Sequence, residues 1–142
     1  MAKPKIRVTG CFMEYERKFL VLHRQMNKPD GNTWGLVAGK VNSGESDETS
    51  ILREIKEETG YNASRNELES LGDYVYDFPD LSLEFPTYRL VLKQPVEIKL
   101  KPSEHTEYKW VTPEECLAMP DTIRGLDKDL LEWAGYVIGR LS

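Results

Sequence analysis

A chain of 142 residues and 16.4 kDa has room for one domain with a sizeable core. Its make-up, 39% hydrophobic, 10% aromatic and 30% charged, excludes a low-complexity or disordered chain. Nineteen Lys and Arg against 24 Asp and Glu give a net charge of −5, which argues against adhesion to duplex nucleic acid or an anionic membrane; a phosphate ligand would then need a metal or a local cluster of cations.

Residues 5–13 and 18–24 are rich in β-branched and apolar side chains and flank Glu14-Tyr15-Glu16-Arg17, a pattern that predicts a hairpin. Asn27-Lys28-Pro29-Asp30-Gly31-Asn32 is a cluster of turn formers that leads into the apolar run Trp34-Gly35-Leu36-Val37-Ala38. A glycine-bounded loop, Gly39 to Gly44, precedes Ser46-Asp47-Glu48, which reads as a helix N-cap with an acidic first turn. That helix should stop at Gly60. Residues 68–78 and 83–93 read as strands separated by Pro79-Asp80, with Pro86 marking an edge or a bulge in the second. Two short strands are expected at 96–100 and 106–111, and Pro113-Glu114-Glu115 opens a short helix. From Ile123 to Leu141, apolar residues recur at helical spacing, as expected of a C-terminal helix packed on the core.

With neither a repeat nor a linker in the sequence, residues 1–142 are expected to form a single domain. No apolar run approaches the roughly 20 residues of a membrane span, and Met1-Ala2-Lys3-Pro4-Lys5 lacks the apolar core of a signal peptide, so the chain reads as cytoplasmic. Cys11 and Cys116 lie far apart in segments that read as packed, which favours buried free thiols. His23 and His105 read as structural or exposed, and with so few scattered Cys and His no structural zinc site is expected.

On the central helix Glu54, Glu57 and Glu58 stand at i, i+3 and i+4, within an arc of about 100°. Ile51, Leu52 and Ile55 occupy the neighbouring arc and should bury the helix against a sheet, leaving the carboxylate face toward a cleft. Two such charges ~4 Å apart repel by about 4 kcal/mol at an effective dielectric of ~20. One reading is a solvated acidic face neutralised by Arg53 and Lys56. The other is a Mg²⁺ site, because that ion takes hard carboxylate oxygens together with phosphates, waters and backbone carbonyls of the kind a tight glycine turn offers.

Gly39, Glu45, Arg53-Glu54, Ile55, Glu57-Glu58, Gly60 and Tyr61 fall at the spacing of the Nudix signature over 23 residues, and on these residues the chain resembles the Nudix hydrolase family of MutT type. The similarity extends loosely to Trp34-Gly35-Leu36, to Glu104-His105 and to Trp110-Val111-Thr112-Pro113-Glu114-Glu115. The chain departs from many members at Val37-Ala38, where they carry Pro-Gly, and at Tyr61, where they carry an aliphatic residue.

The resemblance implies an α/β (α+β) fold: an αβα sandwich with a mixed β-sheet, the signature forming a loop, helix and loop against it. It implies hydrolysis of a nucleoside diphosphate linked to another group, most simply a nucleoside triphosphate cleaved to monophosphate and pyrophosphate. Dinucleoside polyphosphates, nucleotide sugars, another organic triphosphate, or nucleotide binding without hydrolysis are the alternatives. By position, Gly39 offers a carbonyl to Mg²⁺, or to Mn²⁺ as a substitute, and Glu54, Glu57 and Glu58 bind metal and activate water. Glu45 and Arg53 support the site. Glu104 stands where some members keep a further metal-binding or base carboxylate on a mobile loop, although a solvated turn after Lys101-Pro102-Ser103 is the simpler reading there. Arg24, Lys40 and Asp121 are candidates for substrate contact; a surface salt bridge reads equally for Arg24, and an exposed lysine and a solvated loop are the simpler readings for the other two. The expected partner is a small nucleotide or other organic pyrophosphate, with the protein a monomer or a homodimer.

Overall fold

The structure, a computed structural model, describes residues 3–126. Strands β1 (Lys5–Tyr15), β2 (Lys18–Arg24), β3 (Trp34–Gly35), β4 (Val37–Lys40), β5 (Glu69–Asp77), β6 (Ser82–Val91) and β7 (His105–Val111) form one sheet, with helices α1 (Asp47–Thr59) and α2 (Pro113–Ala118) beside it. It is a mixed α+β fold: β1 runs parallel to β6 and antiparallel to β2 and β4, and the remaining pairs are antiparallel. The C-terminal helix expected from Ile123 to Leu141 lies outside the described residues beyond Leu126. Among the described residues no helix is long and apolar enough to cross a membrane.

The first hairpin closes on a two-residue turn in which Glu16 and Arg17 take φ of 51° and 67°, the handedness that matches the twist of two strands. Alternation along β1 then splits the core. Phe12, with Val8 beside it, joins the cluster containing Phe19, Trp34, Phe85 and Cys116, whereas Cys11 and Met13 join the cluster built on Ile51 and Ile55 of α1. Both cysteines are buried free thiols.

Helix α1 starts and stops where the sequence says. The Ser46 hydroxyl accepts the Thr49 N–H at 3.1 Å, and Gly60 closes the last turn at φ 80°, a conformation glycine adopts without a Cβ penalty. Arg7 on β1 donates to both oxygens of Asp47, at 2.9 and 2.6 Å, and Thr9 bonds Ser50 at 3.0 Å in a fully buried contact. These bonds set the rotation of α1 on the sheet, and with it the direction of its carboxylates.

Two expectations need correction. Pro86 lies not on an edge but in an interior strand, since β6 pairs with both β1 and β5. Its missing donor is absorbed because the β1 ladder skips from Arg7↔Glu84 to Gly10↔Thr87, while the bulge falls on the facing strand between Ser70 and Gly72. Residues 96–100 form no strand. Their apolar alternation packs on the α1 side, with Ile98 buried and Val96 and Leu100 against the same cluster, and the Lys99 N–H donates to the Thr59 carbonyl at the end of α1.

Candidate active site

Glu54 and Glu58 on α1 lie over β4 and are 8% and 2% exposed. The Ala38 N–H donates to Glu58 Oε1 at 3.0 Å. Gly39 has no room for a side chain, because a Cβ there would stand 2.0 Å from Glu54 Cδ. The glycine thus lets the Glu54 carboxylate lie directly on the strand backbone. Glu57, one turn from Glu54, is exposed at the rim.

Arg53 organises the loop and the helix together. Its Nε and Nη2 donate to the two oxygens of Glu45 at 2.8 and 2.9 Å, Nη2 also donates to the Lys40 carbonyl at 3.1 Å, and Nη1 donates to Glu54 at 2.6 Å and Glu57 at 3.4 Å. Hydrogen bonds from Arg53 and then from the Asn42 N–H hold the Glu45 carboxyl down at about 2. Arg53 therefore supplies the counter-charge expected of Arg53 and Lys56 together; Lys56 is exposed.

This neutralisation stops short of Glu58. Among the described residues no cation pairs with it. Burial first, then the neighbouring Glu54 charge, pushes its carboxyl well above the usual range, with the Ala38 N–H and Arg24 acting in the opposite sense. Burial also raises Glu54, against the pull of Arg53.

Glu104 sits beside this pair on a loop that is tied down. The Gln25 N–H donates to the Glu104 carbonyl and the Gln25 side chain to the Pro102 carbonyl, both at 2.8 Å. No swing is needed: Glu58, Glu104 and His105 each present a donor atom, all within 4.8 Å of one another. His105 is the residue that sequence reasoning missed. It is 5% exposed, its Nδ1 is buried without a partner, and burial lowers its imidazole to about 4. Its adjacency to Glu104 was the available signal, but only the register of β7 on β2, with Arg24 opposite His105, turns it inward. His23, by contrast, is half-buried and bonds Thr106 and Asn32 at 2.6 and 3.0 Å.

A cavity of about 260 Å³ adjoins these groups, lined by Arg24, Gly39, Lys40 and His105 and, among apolar residues, by Tyr76 and Phe78. Arg24 is held at its wall by a 2.6 Å bond from Nε to the Pro29 carbonyl. Asp121 is exposed and outside the cavity lining; its carbonyl accepts the Trp34 N–H, and the segment Ile123–Leu126 lines the cavity instead. Tyr61 packs its ring on the α1 side and donates its hydroxyl to Glu67 at 2.7 Å, which explains a tyrosine at an otherwise aliphatic position.

The fold and the signature geometry define the class, and the chain belongs to the Nudix hydrolase family: the NUDIX domain profile matches residues 4–134. It is 32% identical over 117 residues to an RNA pyrophosphohydrolase of Novosphingobium aromaticivorans, covering 70% of this chain and 71% of that protein. It is 27% identical to a CTP pyrophosphohydrolase of Escherichia coli, covering 81% and 82%. Among solved structures it is similar to a MutT protein of Methanosarcina mazei, with a TM-score of 0.77 and 28% identity over 93% of this chain and 94% of that one.

Proposed function

We propose that residues 1–142 act as a single domain that hydrolyses a nucleoside diphosphate-linked substrate with Mg²⁺, a nucleoside triphosphate being the first choice. The observation that carries this reading is the buried, unpaired Glu58 carboxylate beside Glu54 and Glu104, behind Gly39 and His105, which line a cavity together with Arg24 and Lys40. A buried carboxylate cluster of this kind is costly unless a cation completes it, and its hard oxygen donors suit Mg²⁺ or Mn²⁺. When bound, such an ion supplies charge neutralisation of the pyrophosphate and a more acidic water.

The chain's own groups do the remainder. Glu54, Glu57 and Glu58, with the Gly39 carbonyl, hold the cation. Arg53, clamped by Glu45, orients Glu54 and the loop carbonyl at Lys40 and acts through them. Arg24 and Lys40 meet substrate phosphates, Glu104 joins Glu58 at the cation and takes the proton of its water, and Tyr76 and Phe78 offer apolar faces to a base. The kinship with pyrophosphohydrolases supports the reaction class.

The test is release of phosphate or pyrophosphate from a panel of nucleoside triphosphates, dinucleoside polyphosphates, nucleotide sugars and a 5′-triphosphorylated RNA, with Mg²⁺ and with EDTA. Metal-dependent pyrophosphate release from a triphosphate is expected. Turnover of another class alone would move the substrate assignment. Binding without turnover of any member would leave a nucleotide-binding module.

A further inference from the structure

We propose that His105 gives an imidazole nitrogen to a divalent cation held between Glu58 and Glu104, so that the site combines oxygen and nitrogen donors instead of carboxylates alone. The inference rests on the reading above that the acidic cluster holds a divalent cation.

The first support is the orphaned atom. Among the described residues, His105 Nδ1 is the one buried side-chain nitrogen or oxygen without a hydrogen-bond partner. Leaving a buried polar group unsatisfied costs about 1–3 kcal/mol, and such groups call for a ligand, a water or an ion. The second is convergence: a His105 ring nitrogen and carboxylate oxygens of Glu58 and Glu104 lie within 4.8 Å of one another, on two different elements. The third is access, since His105 lines the cavity together with Gly39 and Arg24.

The other histidine provides an internal contrast. His23, on the strand paired with β7, has both ring nitrogens engaged, by Thr106 and Asn32, and so is fully accounted for as a structural residue. His105 has no such account. The backbone also holds it firmly: its N–H donates to the Lys101 carbonyl at 3.0 Å, and the preceding carbonyl is bound by Gln25. A ligand fixed on the first residue of a strand loses little entropy on coordination. Because imidazole suits transition metals such as Fe²⁺, Ni²⁺ or Zn²⁺ while Mg²⁺ keeps to oxygen donors, the nitrogen donor tilts the metal preference of this chain toward transition metals.

The experiment is Mn²⁺ titration of the full chain, followed by pulsed electron paramagnetic resonance of the bound ion. The chain has only two histidines, so [15N]histidine labelling assigns any nitrogen coupling without a mutation. A ¹⁴N modulation is expected that becomes a ¹⁵N pattern on labelling, persists in His23→Gln and vanishes in His105→Phe. In that last variant Kd for Mn²⁺ should rise at least about tenfold, and that for Mg²⁺ by less than about threefold. Bound Mn²⁺ that is lost in Glu58→Gln but shows no histidine coupling overturns the role of His105 and leaves the carboxylate site standing. Absence of any Mn²⁺ binding overturns both. The labelled parent protein decides the matter even where the Phe variant does not fold.

Discussion

In metal-free protein, Glu58→Gln should raise stability at alkaline pH while removing metal binding. The substitution keeps the side-chain shape and the oxygen that accepts the Ala38 N–H at 3.0 Å, so it changes charge and little else. With a Glu104 oxygen within 4.8 Å, two ionised carboxylates repel by about 0.9 kcal/mol in water-like surroundings and about 3.5 kcal/mol at an effective dielectric of about 20. Glu54 adds to the repulsion and Arg24 opposes it. The folded carboxyl titrates well above the ordinary value of 4.5, so the native state holds its proton more tightly than the unfolded chain. Stability from this group is therefore fully present below about pH 4.5 and is lost as pH rises through the raised folded value.

Urea unfolding in EDTA near pH 5, 7 and 8.5 reads this directly. The parent should lose stability across the range, and the Gln variant should lose less, exceeding the parent by about 1–3.5 kcal/mol at the highest pH. Mg²⁺ at a hundred times its Kd should add about 2.7 kcal/mol to the parent and nothing to the variant, reversing the order. A metal-free Gln variant less stable than the parent near pH 8.5 would refute the reasoning.

Arg53→Ala should lower kcat by at least about tenfold through misplaced carboxylates, with unchanged preference across a substrate panel; a new preference would mean that Arg53 touches substrate. Gly39→Ala should displace Glu54 and weaken Mg²⁺ binding about 10–100-fold with a small change in melting temperature, because the obstructing atoms belong to the movable end of a side chain. Isothermal titration next to a thermal scan checks both halves of that expectation. Glu104→Gln should reduce kcat at least about tenfold with little change in KM, and kinetics equal to the parent between about pH 6 and 9 would return Glu104 to a solvated turn.

Local chemistry was legible in the sequence where it is self-contained. Ser46 and Gly60 cap α1 by interactions within a few residues, and the spacing of Glu54, Glu57 and Glu58 needs only the helical period. The parallel pairing of β1 with β6 is not readable in this way, because it joins Lys5 to Ser82 across most of the chain and no turn marks it. The same nonlocal pairing places Pro86 in the interior of the sheet. Likewise the alternation of Val96, Ile98 and Leu100 reports burial on one side, which packing against α1 satisfies without a ladder. The burial of His105 was not legible for a related reason: a residue at the start of a strand faces inward or outward according to register, and here register is set by β2.

Burial of a charge does not by itself separate the structural carboxylates of this protein from those placed in the site. Glu14 is 5% exposed, hardly more than Glu58, yet Arg89 Nε donates to it at 2.6 Å across two paired strands, so its charge is matched within the sheet. Glu45 likewise has a full bidentate partner in Arg53. Glu58 has one backbone N–H, a carboxylate neighbour in Glu104 and an imidazole with an idle nitrogen. A fold selected for stability alone would place an apolar residue there, as the packing of Ile51 and Ile55 on the same helix illustrates. The unpaired charge makes sense when the missing partner is a cation that arrives from solution, because the repulsion that weakens the metal-free protein is then recovered as binding free energy.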